Sequence, residues 1–259
     1  MPVWAEASLF YFVYILFAAL ARTGLSGPVR RRVAFVAAAG SLLSSLSLSV
    51  SGFWLHDLIL PAILLLVGYW ASGLLWVRPM PRLEGLLASF DRALELSRLS
   101  ARLPRLPCEL LEAAYLCVYP LIPVAVFVHL ASSIDGDAER FWSVILVTDY
   151  ACFAMLPWIQ TRPPRTVESG PLCRSRIRAL NLRLLGRASI GANTVPSGHA
   201  AEAVAVALLL ADAPMGIAAA AAGVAAAISA GAVLGRYHYA LDVFAGWGVA
   251  WATWRILGN

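Results

Sequence analysis

The sequence contains no lysine and few charged residues of any kind. Charged residues make up 14% of the 259 residues, whereas 60% are hydrophobic. A soluble domain usually carries about 25% charged residues. The apolar residues come in long blocks, which excludes an ordinary soluble domain and indicates membrane-spanning helices.

Cysteine is also scarce, and its spacing does not suggest a metal site. No CxxC pair is present, and no group of His and Cys has the spacing of zinc ligands. We therefore expect neither a metal nor another cofactor. We predict that the four cysteines are small buried hydrophobic side chains: Cys108, Cys117, Cys152 and Cys173.

All 20 basic residues are arginine, and the net charge is +5. Arginine binds phosphate through a planar fork of N–H donors. The arginines lie in loops between apolar blocks, which favours a membrane surface or a phosphate ligand over nucleic acid. We therefore expect the bilayer and a phosphorylated lipid substrate as partners, and no nucleic acid. The sequence does not set an oligomeric state.

About eight apolar blocks are candidate membrane spans, since a span needs about 20 mostly apolar residues. The fold class that they predict is all-α integral membrane. The blocks are residues 9–20, 33–55, 58–77, 110–131, 141–159, 200–211, 215–234 and 240–257.

The segment between the third and fourth blocks has helical rather than membrane-spanning spacing. We predict an amphipathic interfacial helix there, with Asp91 among the charged residues on its other faces. The chain then divides into N-terminal transmembrane helices (1–77), the interfacial segment (78–109) and a catalytic core (110–259). The apolar face comprises Leu83, Leu86, Leu87, Phe90 and Leu94.

Loop charge predicts an orientation. Arginines follow the first, third and fifth blocks, so the positive-inside rule places that side in the cytoplasm. The loops on the other side are acidic, with Asp57, Asp135, Asp137, Glu139 and Asp212.

Three polar stretches emerge on the arginine-rich side of the membrane. They are residues 161–165 (Thr-Arg-Pro-Pro-Arg), 196–199 (Pro-Ser-Gly-His) and 236–242 (Arg-Tyr-His-Tyr-Ala-Leu-Asp). Polar clusters are costly in lipid, so their convergence at one interface indicates a functional site.

The first two stretches suit phosphate binding. Arg162 and Arg165 offer positive forks to phosphate oxygens. Pro196 fits the first position of a helix, and helix N-terminal N–H groups bind anions. His199 would lie beside the bound phosphate, where it could protonate a leaving alcohol. The N–H donors would come from Ser197, Gly198 and His199.

The third stretch suits nucleophilic catalysis. His238 and Asp242 are four residues apart and would share a helix face. Asp242 could then accept the Nδ1–H of His238 and aim Nε2 at phosphorus. A phosphohistidine intermediate would form, which water would hydrolyse with His199 as base.

These three stretches resemble the type 2 phosphatidic acid phosphatase (PAP2) superfamily over roughly residues 110–257. The pattern of that superfamily is Lys-x6-Arg-Pro, Pro-Ser-Gly-His and Ser-Arg-x5-His-x3-Asp. The resemblance implies a six-helix core, here with about two additional N-terminal helices. It also implies His238 as nucleophile, His199 as acid and base, and Asp242 as orienting partner. The implied phosphate binders are Arg162, Ser197, Gly198 and Arg236.

Two positions depart from the pattern. The lysine of the first motif falls at Met155, and Arg165 is the candidate substitute. The arginine of the third motif falls at Ala232, and Arg236 is the nearest arginine. The Arg-Tyr-His-Tyr-x-x-Asp form of the third motif is what we expect in a divergent branch close to inositol-phosphate transferases.

The leading function is hydrolysis of a phosphomonoester or pyrophosphate on a lipid, such as a phosphatidate-like, phosphatidylglycerophosphate-like or polyprenyl phosphate. The alternative is a lipid headgroup phosphotransferase with an alcohol acceptor. A third hypothesis, a non-catalytic membrane scaffold, is disfavoured by the intact His199, His238 and Asp242.

Two further acidic residues fall inside apolar blocks. Glu202 could tune His199 or face a cavity, but a snorkelling interfacial carboxylate is the simpler interpretation. For Asp149 we expect a structural partner in the bundle, an arginine or a tyrosine.

Overall fold

The computed structural model describes residues 1–132, 137–168 and 175–258. Asp135 and Cys173 lie outside the described residues. Within these ranges the protein is helical, and the β-structure amounts to an isolated antiparallel bridge between Thr161 and Asn193. The predicted all-α fold class is confirmed.

Thirteen α-helices and one π-helix, named η1, make up the described part of the chain. In chain order they are α1 (Val3–Ala21), α2 (Gly27–Leu46), η1 (Phe53–Ile59), α3 (Leu60–Gly73), α4 (Pro81–Ala93), α5 (Leu96–Arg102), α6 (Arg105–Leu116), α7 (Val118–Ser132), α8 (Ala138–Ala154), α9 (Pro164–Val167), α10 (Arg176–Ala188), α11 (Gly198–Leu209), α12 (Met215–Leu234) and α13 (Ala240–Leu257).

Three segments of the described chain are long and apolar enough to cross a membrane: α1, the continuous η1–α3 segment (Phe53–Gly73) and α12. A fourth is added if α6 and α7, bent by 59° relative to each other, count as one broken span. The sequence predicts about eight spans. The difference arises partly because α8 has only 17 residues and α11 only 12.

Helix α8 lies at the centre of the bundle and packs against α1, α3, α7, α11 and α13. The main hydrophobic core joins N-terminal side chains such as Phe12 and Leu64 to Phe141, Ile145 and Val206. Helix α8 therefore connects the N-terminal helices to those that carry the three polar stretches.

The interfacial segment is two helices rather than one, and two of its acidic residues, Glu84 and Asp91, point inward. The break between α4 and α5 lies at Glu95, which has a left-handed φ of 53°. The prediction that Asp91 lies on an outer face is wrong: it is 6% exposed and accepts the N–H of Ala240 at 3.0 Å. Glu84 and Leu87 are buried on the same face, so α4 covers the start of α13.

Candidate active site

A cavity of about 660 Å³ lies between the η1–α3 segment and helices α6 and α7. Its base is formed by α8 and α11. One end is apolar, with Trp54, Ile63 and Phe127 among its lining residues. The other end is polar and brings together Arg165, Gly198, His199 and His238.

The two histidines predicted to carry the chemistry face each other. His199 lies in the first turn of α11 and His238 in the loop before α13. Their ring centroids are 6.0 Å apart, and the rings are nearly perpendicular, at 84°. A nucleophile reacts from about 3–3.5 Å, and an acid reaches the leaving oxygen at about 2.6–3.2 Å. Both rings therefore lie close enough to contact one phosphate group at the polar end of the cavity.

Asp242 lies near His238 but not on a shared helix face. That prediction is wrong because α13 begins only at Ala240. The Nδ1 of His238 is 3.9 Å from Oδ2 of Asp242, which is too long for a hydrogen bond. Oδ2 instead accepts the side-chain amide of Asn193 at 2.7 Å and the N–H of Tyr239 at 3.0 Å.

Asn193, which no motif of the sequence includes, joins the first and third polar stretches and lies in the loop before the second. It is 1% exposed. Its backbone N–H donates to the carbonyl of Thr161 at 2.9 Å. Its side-chain amide donates to Oγ1 of Thr161 at 3.0 Å and to Asp242 at 2.7 Å. A single asparagine in a loop has no distinguishing pattern, and its place three residues before Pro196 was the only signal.

The arginines of the first stretch have different surroundings. The guanidinium of Arg162 binds Glu84 bidentately, at 3.0 Å from Nε and 2.7 Å from Nη2, and Arg162 is not among the cavity-lining residues. Arg165 lines the cavity. Its guanidinium lies 5.1 Å from the ring centroid of Tyr237 and forms no ion pair with any described residue. Arg165 is thus the arginine available to a ligand.

The Pro-Ser-Gly-His stretch begins α11 two residues later than predicted. The Val195–Pro196 peptide bond is cis, Ser197 is the N-cap, and the helix starts at Gly198. The N–H of Ser197 donates to the carbonyl of Asp242 at 2.9 Å. The N–H of Gly198 donates to Oγ1 of Thr194 at 3.3 Å. Of the three predicted anion donors, that of His199 has no such partner in the described part of the chain.

Gly198 favours close helix packing as well as access to the cavity. A Cβ at this position would lie 3.2 Å from the ring of Phe153 and 3.6 Å from Oδ1 of Asp149. Both residues belong to α8. The glycine therefore lets the start of α11 approach the central helix.

Arg236 is not among the cavity-lining residues. It is 5% exposed and has a left-handed φ of 57°. Its Nη2 donates to the carbonyl of Ser97 at 3.2 Å, and its own carbonyl accepts the backbone N–H of Arg165 at 3.0 Å. In this position Arg236 holds the loop of the first stretch against that of the third.

A buried polar network anchors the residue before His238. Glu112 accepts the hydroxyl of Tyr237 at 2.5 Å, Nη1 of Arg178 at 2.6 Å and the amide of Asn181 at 2.8 Å. The ring of Tyr237 stacks on Tyr115 at 3.9 Å. Because α6, α10 and the third stretch are far apart in sequence, no local sequence pattern predicted this network.

The electrostatics of α4 follow from its buried carboxyl groups. Hydrogen bonds from Arg162 hold the pKa of Glu84 below its ordinary value. Burial raises the pKa of Asp91 to about 6, although the N–H of Ala240 opposes this shift. Glu84 is therefore a stable anion that neutralises Arg162, whereas Asp91 gains a proton readily.

Comparison with known proteins gives one match. A family model described as the PAP2 superfamily matches residues 142–258. No curated protein and no solved structure matches the chain. The matched stretch holds all three polar motifs, and the match suggests a membrane enzyme of the phosphatase or phosphotransferase type. Residues 142–258 of this chain are thus similar to the PAP2 superfamily.

Proposed function

We propose that the protein hydrolyses a phosphomonoester or pyrophosphate on a membrane lipid through a phosphohistidine. The observation that carries this proposal is the pair of histidines, His199 and His238, at the polar end of a largely apolar cavity. Their ring centroids are 6.0 Å apart. Arg165 lines the same end without a carboxylate partner among the described residues.

In the first step Nε2 of His238 attacks phosphorus. The N–P bond forms while the bond from phosphorus to the leaving oxygen breaks. His199 gives that oxygen its proton, so that a neutral alcohol leaves. Arg165 binds the equatorial oxygens, where charge is concentrated in the transition state.

In the second step His199, now neutral, takes a proton from water, and the hydroxide attacks the phosphohistidine. The N–P bond breaks, inorganic phosphate leaves and His238 is regenerated. The reaction as written uses no metal ion. Asp242 stabilises the imidazolium form of His238 once the 3.9 Å separation closes, since catalytic hydrogen bonds are often long before substrate binds.

The other predicted phosphate binders enter this proposal in two ways. Gly198 lines the cavity and provides room at the start of α11. Arg162, Ser197 and Arg236 position the loops, because each is bound within the protein in this structure. The apolar end of the cavity accommodates the hydrocarbon of the lipid.

The alternative reaction passes the phosphoryl group from His238 to an alcohol instead of water. The observation that favours it is the Arg-Tyr-His-Tyr-x-x-Asp form of the third motif. Both reactions share the first step and differ in the acceptor. For either one, we propose that the active site faces the cytoplasm at the cell membrane, which the arginine-rich loops support.

The test is phosphate release by detergent-purified protein from a panel of lipid phosphates, with EDTA present. We expect release from wild type and none from His238→Ala. Glu95→Gln, at an exposed surface pair, serves as the matched control and keeps wild-type activity. If the phosphoryl group is recovered only as a phosphate ester of an added alcohol, the protein is a transferase instead. No transfer to water or alcohol by folded protein contradicts the proposal.

A further inference from the structure

Two carboxyl groups in the cavity have no role in the proposed reaction. Asp149 on α8 and Glu202 on α11 both line the cavity. Asp149 is 1% exposed, and neither of its carboxyl oxygens has a hydrogen-bond partner in the described part of the chain. A buried polar group without a partner costs free energy. Such a group at a cavity wall indicates that a ligand supplies the missing partner.

The carboxyl groups lie close to the proposed general acid. Oδ1 of Asp149 is 3.6 Å from the position that a Cβ would take on Gly198, the residue before His199. Glu202 follows His199 by three residues on α11, so the two side chains share a helix face. Asp149 and Glu202 also interact electrostatically with each other. The pair is therefore next to the phosphate position rather than deep among the lipid chains.

The structure does not supply the partner that the sequence suggested for Asp149. The nearby hydroxyl of Tyr150 interacts with Ser8 at 3.1 Å, and that of Tyr11 donates to the carbonyl of Gly68 at 3.0 Å. No arginine pairs with Asp149 among the described residues. In the same ranges no set of three or more His, Cys, Asp or Glu residues is arranged to hold a metal ion.

We propose that Asp149 and Glu202 form a binding site for a hydrogen-bond donor, a hydroxyl or an amino group, carried by the lipid two or three bonds from its phosphate. This proposal rests on the proposed function, because the phosphate position at His199 sets where the donor must be. A carboxyl pair accepts hydrogen bonds from a hydroxyl or an amino group, and binding of either group gives Asp149 a hydrogen-bond partner.

This site narrows the range of lipid phosphates that the protein would accept as substrates. Lipid phosphates with a free hydroxyl or amino group beside the phosphate fit it. Polyprenyl phosphates and fully acylated glycerol phosphates have no such donor and would leave the carboxyl groups unpartnered. A site built for a donor discriminates strongly against analogues that lack it, since its buried acceptors then remain unpaired.

The test compares three single-chain lipids that share chain and phosphate: an acylglycerol phosphate with its free hydroxyl, its deoxy analogue, and its amino analogue. Apparent Kd values are measured in detergent with the His238→Ala protein, which cannot turn the lipids over. Tryptophan fluorescence reports binding, because Trp54 and Trp70 line the cavity. Turnover of the same lipids by protein with His238 intact is measured in parallel.

We expect the deoxy lipid to bind about ten- to a hundredfold more weakly than at least one donor lipid. Comparing the hydroxyl and amino arms identifies the donor. Asp149→Leu and Glu202→Leu should each reduce this ratio towards one. Thr148→Val is the matched control: Thr148 is buried beside Asp149, its hydroxyl also has no partner, and it does not line the cavity. It should keep the wild-type ratio.

Equal affinities for all three lipids overturn the inference, as does a ratio that persists in both leucine variants. Two separate substitutions are used so that one that fails to fold does not remove the test. If the lipids with a hydroxyl or amino group bind preferentially but no lipid is turned over, the binding site is supported and the proposed function is contradicted. If all lipids release phosphate without preference, the function stands and the site falls.

Discussion

The Glu112 network offers the sharpest test of how the third stretch is held in place. Glu112 and Arg178 form a buried ion pair, with side chains 3% and 7% exposed. The same carboxylate accepts the hydroxyl of Tyr237, which precedes His238. Glu112→Gln keeps the size of the side chain but removes its charge, which leaves Arg178 as a buried cation without a counter-ion.

The magnitude follows from burial. Removing one partner of a buried ion pair costs about 3–5 kcal/mol, because the remaining charge stays desolvated. The matched control is Glu95→Gln, whose partner is Arg98, with side chains 67% and 72% exposed. An exposed pair contributes about 0–1 kcal/mol. The expected difference between the two variants is therefore about 2–5 kcal/mol.

The assay is the free energy of unfolding in mixed detergent micelles, titrated with a denaturing detergent. Phosphate release is measured on the same samples under conditions where both variants are folded. We expect Glu112→Gln to unfold more readily and to lose turnover, since a single amide oxygen cannot accept all the hydrogen bonds from Tyr237, Arg178 and Asn181 that hold the loop of His238 in place. A Glu112→Gln variant within about 1 kcal/mol of Glu95→Gln would refute the reasoning.

Three further predictions concern other parts of the molecule. Gly246→Ala would place a Cβ 2.6 Å from the carbonyl oxygen of Ser197, the N-cap of α11, and should lower the free energy of unfolding by about 1–3 kcal/mol. Gly248→Ala lies on the same helix, and its Cβ would have nothing within 4 Å, so it should not lower the free energy of unfolding. Equal losses in the two variants would contradict the packing argument. The pKa of Glu84 is lowered by Arg162 from its ordinary 4.5, so wild type should exceed Glu84→Gln in thermal stability above that pH and lose the advantage as pH falls through the lowered pKa; a gap independent of pH would contradict this. In protein without native cysteines, Arg176→Cys should resist an impermeant thiol reagent in intact cells, since the positive-inside rule predicts that this exposed residue faces the cytoplasm. Labelling of this variant would contradict the predicted orientation.

Local patterns in the sequence located two of the residues that line the polar end of the cavity. His199 and His238 lie in recognisable motifs, and the structure brings them together at the polar end of the cavity. The α-helical class followed from long apolar blocks, which report burial in lipid whatever the tertiary fold. Helix ends were less predictable, since the Pro-Ser-Gly-His stretch suggested a start at Pro196 whereas α11 begins at Gly198.

What the sequence could not show depends on contacts between distant segments. Arg162 looked like a phosphate ligand until Glu84, far away in sequence, was found on its guanidinium. Asp91 of α4 was predicted to lie on a different face from the apolar residues. The buried residues Glu84, Leu87, Ala88 and Asp91 nevertheless have the spacing of one helix face, and that spacing was the available signal.

The residues of the cavity wall also could not be predicted from motifs. Trp54, Ile63 and Phe127 line it but lie outside the stretch matched by the family model. Their apolar character predicted only membrane spans. Which spans face each other is set by packing around α8, which no local pattern encodes.

The most direct test of the central claim is to look for the covalent intermediate. Protein is mixed with a lipid carrying radiolabelled phosphate, quenched in alkali and analysed for label on the polypeptide. We predict alkali-stable, acid-labile label on wild type, located at His238 and absent from His238→Ala. Phosphate transfer by wild type without any trapped label, or label that persists in His238→Ala, would contradict the assignment of His238 as the nucleophile.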